Sequence, residues 1–214
     1  MNLDKALEQI EMSLDKRLEQ MVIIDLKATC GEPMPVWHDE IIQVGVCLLN
    51  LQSLEITKPC QILVKPERAP ITGFCTALTG ITSGLVAREG ITLAEAMRIL
   101  EKEYRLNERT WGSWGVYKLE TLEKDCEAKR ITFPGRIQDH INLKRLLAVE
   151  LGLLWEDELE DALARFRLSF TDLHPQGIDA VNIAQIYQKH LEKVRAREPS
   201  CGEPGLWPLK GWDL

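Results

Sequence analysis

The feature that most constrains this chain is the short apolar run at residues 21–26 (MVIIDL), which is interrupted only by Asp25. A nearly continuous apolar run of this length predicts a β-strand that is buried on both faces of a sheet. A buried carboxylate is unfavourable by several kcal/mol unless it is paired or binds a metal. The end of a strand is also where α/β proteins place their sites. Asp25 is therefore expected either to serve a functional site or to cap the next turn.

Four further segments are predicted to be strands. Residues 40–50 (EIIQVGVCLLN) and 54–66 follow the first strand closely, and the three together are expected to form an antiparallel meander. A fourth strand is predicted at 110–115 and a fifth near 140–143. Helical patterns separate these later strands, so the fold class is α/β, with a mixed sheet of about five strands flanked by helices.

Helices are predicted where apolar residues recur three or four positions apart. Gly80 closes a short helix in the segment ITGFCTALTGIT, and Thr92 caps an amphipathic helix from 93 to about 105. Further helices are expected at residues 118–130, before residue 151, at 156–167 and from 179 to about 195. The acidic run at 156–161 is interpreted as a solvated face of one of these helices.

The chain divides into three parts. Residues 1–20 carry an amphipathic helical pattern formed by Leu3, Leu7, Ile10, Leu14 and Leu18. This pattern predicts either a helix laid against the domain or a short helix that makes a homodimer. Residues 21–195 form the main domain. Residues 196–214 are predicted to be an irregular tail, and Trp207 and Trp212 favour its docking on a surface.

Composition limits the classes of function. The net charge is −7 and the isoelectric point is about 5.3, so the chain has no overall basic footprint for nucleic acid. A nucleic-acid site must be a local patch or a metal-filled cleft. The six cysteines form no C-x-x-C pair, which predicts reduced thiols and a cytoplasmic location. We find neither a signal-peptide pattern nor an apolar run of the roughly 20 residues that a membrane span needs.

A second group of polar residues lies near the start of the last helix. In the segment FTDLHPQGIDAVNIA, His174 precedes Asp179 by five positions, with four residues between them. Histidine is suited to general base catalysis near neutral pH. An aspartate at a helix start also interacts favourably with the helix dipole, so the pair alone leaves a structural interpretation open.

Five motifs in order resemble one family. DLKATC followed by EIIQVGVCLL is similar to the first motif of the DEDDh 3′–5′ exonucleases, in the branch of small RNA-directed enzymes. FCTALTGIT, SWGVYKLETLEKDCE, INLK and the segment from His174 to Ala184 resemble the remaining motifs. The resemblance covers residues 21 to 193 and implies an RNase H-like exonuclease fold.

The resemblance also implies a chemistry. This family cleaves phosphodiester bonds with two divalent ions, Mg²⁺ or Mn²⁺, held by four carboxylates, and uses a histidine as the base for the attacking water. By resemblance, Asp25 and Asp179 correspond to metal ligands and His174 to the base. The nucleotide-binding positions correspond to Ala28, Thr29, Leu78 and Thr79, for which ordinary packing and capping are the alternative.

Two positions depart from the family pattern. Lys27 stands where the family has a glutamate, and Lys118 stands where it has an aspartate. Four carboxylates sum to −4, whereas two aspartates and two lysines sum to −2 + 2 = 0. A neutral cluster has no electrostatic reason to collect two divalent cations. We expect Lys27 and Lys118 to pair with Asp25 and Asp179, and the metals to be weakly bound or absent. The alternative is that both lysines point to solvent and a single weak ion still binds Asp25 and Asp179.

Three functions remain open at this stage. The first is a protein that binds or acts on single-stranded nucleic acid 3′ ends, RNA in preference to DNA, through a degenerate and catalytically dead or impaired site. The second is an active metal-dependent exonuclease that uses Asp25, His174 and Asp179. The third is a protein-interaction or structural pseudoenzyme.

Overall fold

The computed structural model of the chain describes residues 19–30, 39–169 and 179–197. Within these ranges five strands form one sheet in the order β3-β2-β1-β4-β5. The strands are β1 (Gln20–Ala28), β2 (Ile41–Asn50), β3 (Ile56–Leu63), β4 (Trp111–Ser113) and β5 (His140–Asn142). The predictions for residues 1–18 and 198–214 lie outside the described residues. Gln20 already belongs to β1, and the last helix continues to Arg197.

The sheet is mixed in direction. β1 pairs antiparallel with β2, and β2 pairs antiparallel with β3. On the other side, β4 runs parallel to β1, and β5 runs parallel to β4. This arrangement confirms the predicted meander and the predicted α/β class. It also places β1 in the middle of the sheet, as its continuous apolar sequence requires.

The part of the chain that the structure describes contains the following α-helices: α1 (Gly73–Thr79), α2 (Ser83–Glu89), α3 (Leu93–Tyr104), α4 (Tyr117–Ala128), α5 (Leu143–Glu150), α6 (Leu159–Arg165) and α7 (Asp179–Arg197). None of these helices is long and apolar enough to cross a membrane.

The predicted caps of the helices are present. Thr92 and Glu95 form a reciprocal capping box at the start of α3. Gly80 ends α1 with a φ of 73°, a left-handed conformation that glycine adopts without strain. Helix α2 was not predicted, although Thr82 caps it through the backbone N–H of Leu85.

One predicted helix was too long at its start. Helix α6 begins at Leu159 rather than at residue 156. The acids before it are engaged elsewhere: Glu156 pairs with Arg145 at 3.5 Å, and Asp157 pairs with Arg165 at 2.6 Å. These side chains fix an irregular segment that leads into the helix.

Alternation along β1 separates two cores. Val22, Ile24 and Leu26 pack on the face that α3 and α4 cover. Met21 and Ile23 pack on the opposite face, against α5, α6 and α7. Because side chains alternate between faces with a period of two, Asp25 and Lys27 project to the face of α7. The pattern of the strand therefore directs both side chains towards the start of that helix, Asp179.

A buried ion cluster joins β2 to the end of α4. The carboxylate of Glu40, a residue that is 1% exposed, accepts from the backbone N–H groups of Glu67 and Arg68 at 3.0 and 2.7 Å, and also from that of Ala69. Lys129 Nζ lies 3.0 Å from both Glu40 and Asp125. The sequence alone had suggested no role for Glu40, because nothing in it indicated these distant partners.

The cluster sets the acidity of Glu40. Burial alone would raise the pKa of this carboxyl, but three backbone donors and the ammonium of Lys129 outweigh burial and lower it to about 2. A depressed pKa means that the ionised group stabilises the fold above its unfolded value of 4.5. This stabilisation is lost as the pH falls from there towards 2.

We predict that Glu40→Gln lowers the free energy of unfolding by about 2–4 kcal/mol at pH 7, because it leaves buried donors and Lys129 incompletely paired. Urea denaturation followed by circular dichroism measures the change. Glu127→Gln, on the exposed side of the same helix end, is the control and should change stability by less than about 0.5 kcal/mol. Equal effects of the two substitutions would contradict the role assigned to Glu40.

Candidate active site

Asp25 lies at the carboxyl end of the central strand and is 6% exposed. Its carboxylate is paired: Lys118 Nζ lies 3.0 Å from Asp25 Oδ1. The same ammonium donates a hydrogen bond of 2.7 Å to the backbone carbonyl of Leu26. Lys118 is the second residue of α4, so this contact ties the start of α4 to the end of β1.

Lys27 and Asp179 form a second, looser pair. Lys27 Nζ lies 3.9 Å from Asp179 Oδ2, and the two side chains are 26% and 22% exposed. A pair at this distance with partial solvent access contributes little to stability. The two ion pairs thus differ: one is short and nearly dry, and the other is long and partly hydrated.

The pKa of Asp179 reflects the crowding of charges. Burial raises the pKa of this carboxyl above its usual range, and the negative charge of Asp25 raises it further. Lys27 and Lys118 act in the opposite direction but do not cancel these effects. Asp179 therefore retains a proton to a higher pH than an ordinary aspartate.

An open cleft of about 670 Å³ lies over these residues. Residues 114–118 form one wall, and the segment before and at the start of α6 forms another. Its charged lining consists of Asp25, Glu156, Glu158, Glu160, Asp179, Lys118 and Lys144. The formal charges of these five carboxylates and two ammonium groups sum to −5 + 2 = −3.

The acidic run at 156–161 was interpreted as a solvated helix face; Glu158, Glu160 and Asp161 are exposed as expected, whereas Glu156 and Asp157 precede the helix and are half-buried. Glu156, Glu158 and Glu160 line the cleft. Glu158 accepts a hydrogen bond of 2.6 Å from Lys144, which holds it at the cleft wall. The folding of α6 beside β1 brings these acids to the site, and no local pattern in the sequence indicated that proximity.

The candidate nucleotide-binding residues fall on two adjacent segments. Thr29 is buried; its hydroxyl accepts from the backbone N–H of Glu40, and its own N–H donates to the Glu40 carbonyl. Thr79 donates its hydroxyl to the Cys75 carbonyl within α1. Leu78 is 69% exposed on the same helix. Ala28 and Leu78 are therefore the candidates without a side-chain hydrogen-bonding role in the scaffold.

Two further residues complete the wall of the cleft. Trp114 and Tyr117 belong to the SWGVYK segment, and the hydroxyl of Tyr117 donates a hydrogen bond of 2.9 Å to Asp39. Their aromatic character within that motif was the available signal, although the sequence pattern alone predicted no role for them. His174, the candidate base, lies outside the described residues.

The residues present do not fit a pair of divalent ions. The position between Asp25 and its neighbours, where a cation would lie, is taken by the Lys118 ammonium at 3.0 Å. Lys27 directs a second positive charge at Asp179. Within residues 19–30, 39–169 and 179–197, no three His, Cys, Asp or Glu side chains are arranged to hold a metal ion.

The fold and the arrangement of the retained acids define the class of protein. A family model described as Exonuclease matches residues 22–187. The chain belongs to this family, within the DEDDh superfamily of 3′–5′ exonucleases, and the expected RNase H-like fold is confirmed.

Curated relatives include exoribonucleases from vertebrates. The chain is 33% identical to the rat 3′-5′ exoribonuclease 1 over 144 residues, which is 62% of this chain and 41% of that protein. It is 28% identical to the human ERI1 exoribonuclease 3 over 182 residues, 80% of this chain and 53% of the relative. The chain thus spans about two fifths to one half of the length of these relatives.

Solved structures give the same result. The nuclease domain of 3′hExo, a DEDDh family member bound to rAMP, superimposes with a TM-score of 0.73 at 27% identity, covering 82% of this chain and 92% of that domain. Cell-death related nuclease 4 superimposes with a TM-score of 0.69 at 16% identity, covering 83% of this chain and 65% of the nuclease. The second likeness is evidence for the fold alone.

The difference between the two ion pairs is testable by a double-mutant cycle. We predict that Lys118→Met lowers the free energy of unfolding by about 3 kcal/mol, because it leaves Asp25 buried and unpaired. The double variant Lys118→Met/Asp25→Asn should lose less than the sum of the two single changes. Lys27→Met, which removes the loose pair, should change stability by less than about 1 kcal/mol.

Chemical denaturation of the parent chain and of four variants measures these free energies of unfolding. The variants are Lys118→Met, Asp25→Asn, the double variant of these two, and Lys27→Met. Additive effects of the changes at 25 and 118 would contradict the buried pair, as would a loss for Lys27→Met equal to that for Lys118→Met.

Proposed function

We propose that this protein binds the 3′ end of single-stranded RNA through an exonuclease-type cleft in which two lysines replace the catalytic metals, and that it hydrolyses RNA weakly or not at all. The observation that carries the proposal is the 3.0 Å contact between Lys118 Nζ and Asp25 Oδ1. The family's reaction requires two divalent ions beside the retained acids. An ammonium in contact with the first of these acids competes for that position.

Electrostatics supports the loss of metal affinity. Two unit charges 4 Å apart interact by about 4 kcal/mol at an effective dielectric constant of 20. At each altered position an attractive carboxylate is replaced by a repulsive ammonium, so both the lost attraction and the new repulsion weaken metal binding. Mg²⁺ or Mn²⁺ is accordingly proposed to bind poorly, even though Asp25 and Asp179 are retained.

RNA is favoured over DNA because of the relatives. The curated relatives include exoribonucleases. One structural neighbour is described by its 3′-end specific recognition of a histone mRNA stem-loop, at a TM-score of 0.71 and 26% identity. Ala28 and Thr29 at the end of β1, with Leu78 and Thr79 on α1, are the proposed contacts for the terminal nucleotide.

Charge limits the affinity of this binding. The cleft lining sums to −3 and the chain to −7, so long-range attraction of an RNA strand is opposed. Lys27, whose pair with Asp179 is long and partly hydrated, is the cation best able to turn to a phosphate. We therefore propose weak, short-range binding.

The free thiols of the described cysteines support a cytoplasmic location.

Reversal of both lysines tests the metal-site part of the proposal. The double substitution Lys27→Glu/Lys118→Asp restores four carboxylates. It should create Mn²⁺ binding that calorimetry detects at micromolar concentrations, together with trimming of a 5′-labelled RNA from its 3′ end. The parent chain should show neither property under the same conditions.

A matched control separates the site from net charge. Lys102→Glu/Lys124→Asp makes the same change of formal charge at two exposed lysines of α3 and α4 and should gain neither property. Micromolar Mn²⁺ affinity and 3′ trimming by the parent chain would overturn the proposal in favour of an active enzyme using Asp25, His174 and Asp179.

RNA binding is tested separately in the presence of EDTA. Fluorescence anisotropy with a single-stranded RNA bearing a free 3′ hydroxyl should give a dissociation constant of roughly 10 µM for the parent chain. With two lysines contacting phosphates, log affinity should fall with log salt with a slope of about −1.4. Lys27→Glu/Lys118→Asp should bind at least tenfold more weakly, whereas Lys102→Glu/Lys124→Asp should bind like the parent.

An equal loss of RNA affinity in the two double variants would show that Lys27 and Lys118 are not the RNA contacts. If the parent chain binds no RNA at a protein concentration 100-fold above the expected dissociation constant, the proposal of RNA binding is wrong. The protein-interaction alternative then takes its place.

A further inference from the structure

Two cysteines lie close together at the end of β1. Cys30 follows the end of β1 and is half-buried, and Cys75 is fully buried in α1. Both belong to a small apolar cluster with Ile42, Ile81 and Val86. Thr72 Oγ1 links the two residues, because it accepts from the Cys75 backbone N–H at 3.0 Å and donates to the Cys30 carbonyl. The sequence positions, 45 residues apart, gave no indication of this contact.

The backbone around the thiols is already tied together. Thr72, which caps α1, donates its hydroxyl to the Cys30 carbonyl at 2.8 Å. The thiol of Cys75 donates to the Ala28 carbonyl at 3.6 Å. The two segments are thus held in register before any covalent bond forms, which limits the movement that a cross-link would need.

We propose that Cys30 and Cys75 are an oxidation site that forms a reversible disulfide joining the end of β1 to α1. This inference does not depend on RNA binding. The bond would join the segment that carries Ala28 and Thr29 to the helix that carries Leu78 and Thr79. Its formation covalently fixes these two segments relative to each other.

The reaction requires an oxidant, which we take to be a peroxide. The half-exposed thiolate of Cys30 attacks one peroxide oxygen, the O–O bond breaks, and a sulfenic acid forms on Cys30 with release of water or an alcohol. The Cys75 sulfur then attacks the Cys30 sulfur. The S–O bond breaks, an S–S bond forms, and the proton of Cys75 leaves with the hydroxyl as water. The two sulfurs together lose two electrons, and the peroxide gains them.

The environment makes this reaction slow. Burial raises the pKa of the Cys30 thiol to about 11, and the contact with Cys75 adds to the shift. Since the thiolate is the reactive form, little of it is present at neutral pH. The pair is therefore suited to sustained oxidation rather than to rapid catalytic turnover, and it remains reduced in an ordinary cytosol.

The other described cysteines serve as internal comparisons. Cys47 and Cys126 are buried, and burial raises the pKa of each to about 12. Cys60 lies on the edge strand β3 and is half-buried, as Cys30 is. Cys60→Ser is therefore the matched control for a substitution at position 30.

The experiment treats the full chain with diamide, an oxidant that takes up two electrons and two protons from a pair of thiols. Digestion with trypsin and Glu-C separates Cys30 from Cys47 and Cys60, because Glu40 and Glu55 lie between them. Mass spectrometry should find a Cys30–Cys75 linked peptide that dithiothreitol removes. The melting temperature should rise by about 5 °C on oxidation, because the bond closes a long loop.

Cys30→Ser should lose both the linked peptide and the rise in melting temperature, and Cys60→Ser should keep both. Circular dichroism of the reduced Cys30→Ser chain verifies that it is folded. The proposal is overturned if Cys30 stays free after oxidation of the folded parent chain, or if it links mainly to a cysteine other than Cys75.

Discussion

The pairing of the Asp25 carboxylate with the Lys118 ammonium is the interaction on which the site depends. β1 is the central strand of the sheet, and its sequence leaves the acid almost without access to water. A carboxylate in that position needs a counter-charge, which the family obtains from metal ions and this chain obtains from a lysine 3.0 Å away. The ion pair that the fold demands at this position is thus also the basis of the proposed loss of metal-dependent hydrolysis.

The rest of the scaffold positions that lysine. Lys118 is near the start of α4, and the far end of the same helix is fixed by Lys129, which bridges Glu40 and Asp125 inside the protein. The helix is therefore tied at one end to β1 and at the other to the start of β2. Helix α7 contributes Asp179 from the opposite side of the cleft, where Lys27 meets it. The ion pairs at the site connect the central strand to helices on both of its faces.

Much of this could be predicted from local pattern. The apolar run around Asp25 indicated the central strand, and Thr92 with Glu95 indicated the start of α3, because both signals act within a few residues. Local pattern did not predict the burial of Glu40 or the placement of Glu156, Glu158 and Glu160 in the cleft wall. Those features depend on segments 27 to more than 100 residues apart in the chain, which come together only through the packing of the sheet and its helices. Lys27 and Lys118 were predictable as departures from a motif, whereas the difference between their two pairs required the geometry.

We propose that lysine nitrogens occupy the place that the catalytic metals have in the family. The most direct test is a crystal structure grown in excess Mn²⁺, with anomalous diffraction data collected at the manganese edge. We expect no anomalous peak between Asp25 and Asp179, with Lys118 Nζ in hydrogen-bond contact with Asp25. One or two strong anomalous peaks from manganese ions bound to these aspartates, with both lysines turned towards solvent, would overturn the proposed replacement of the metals.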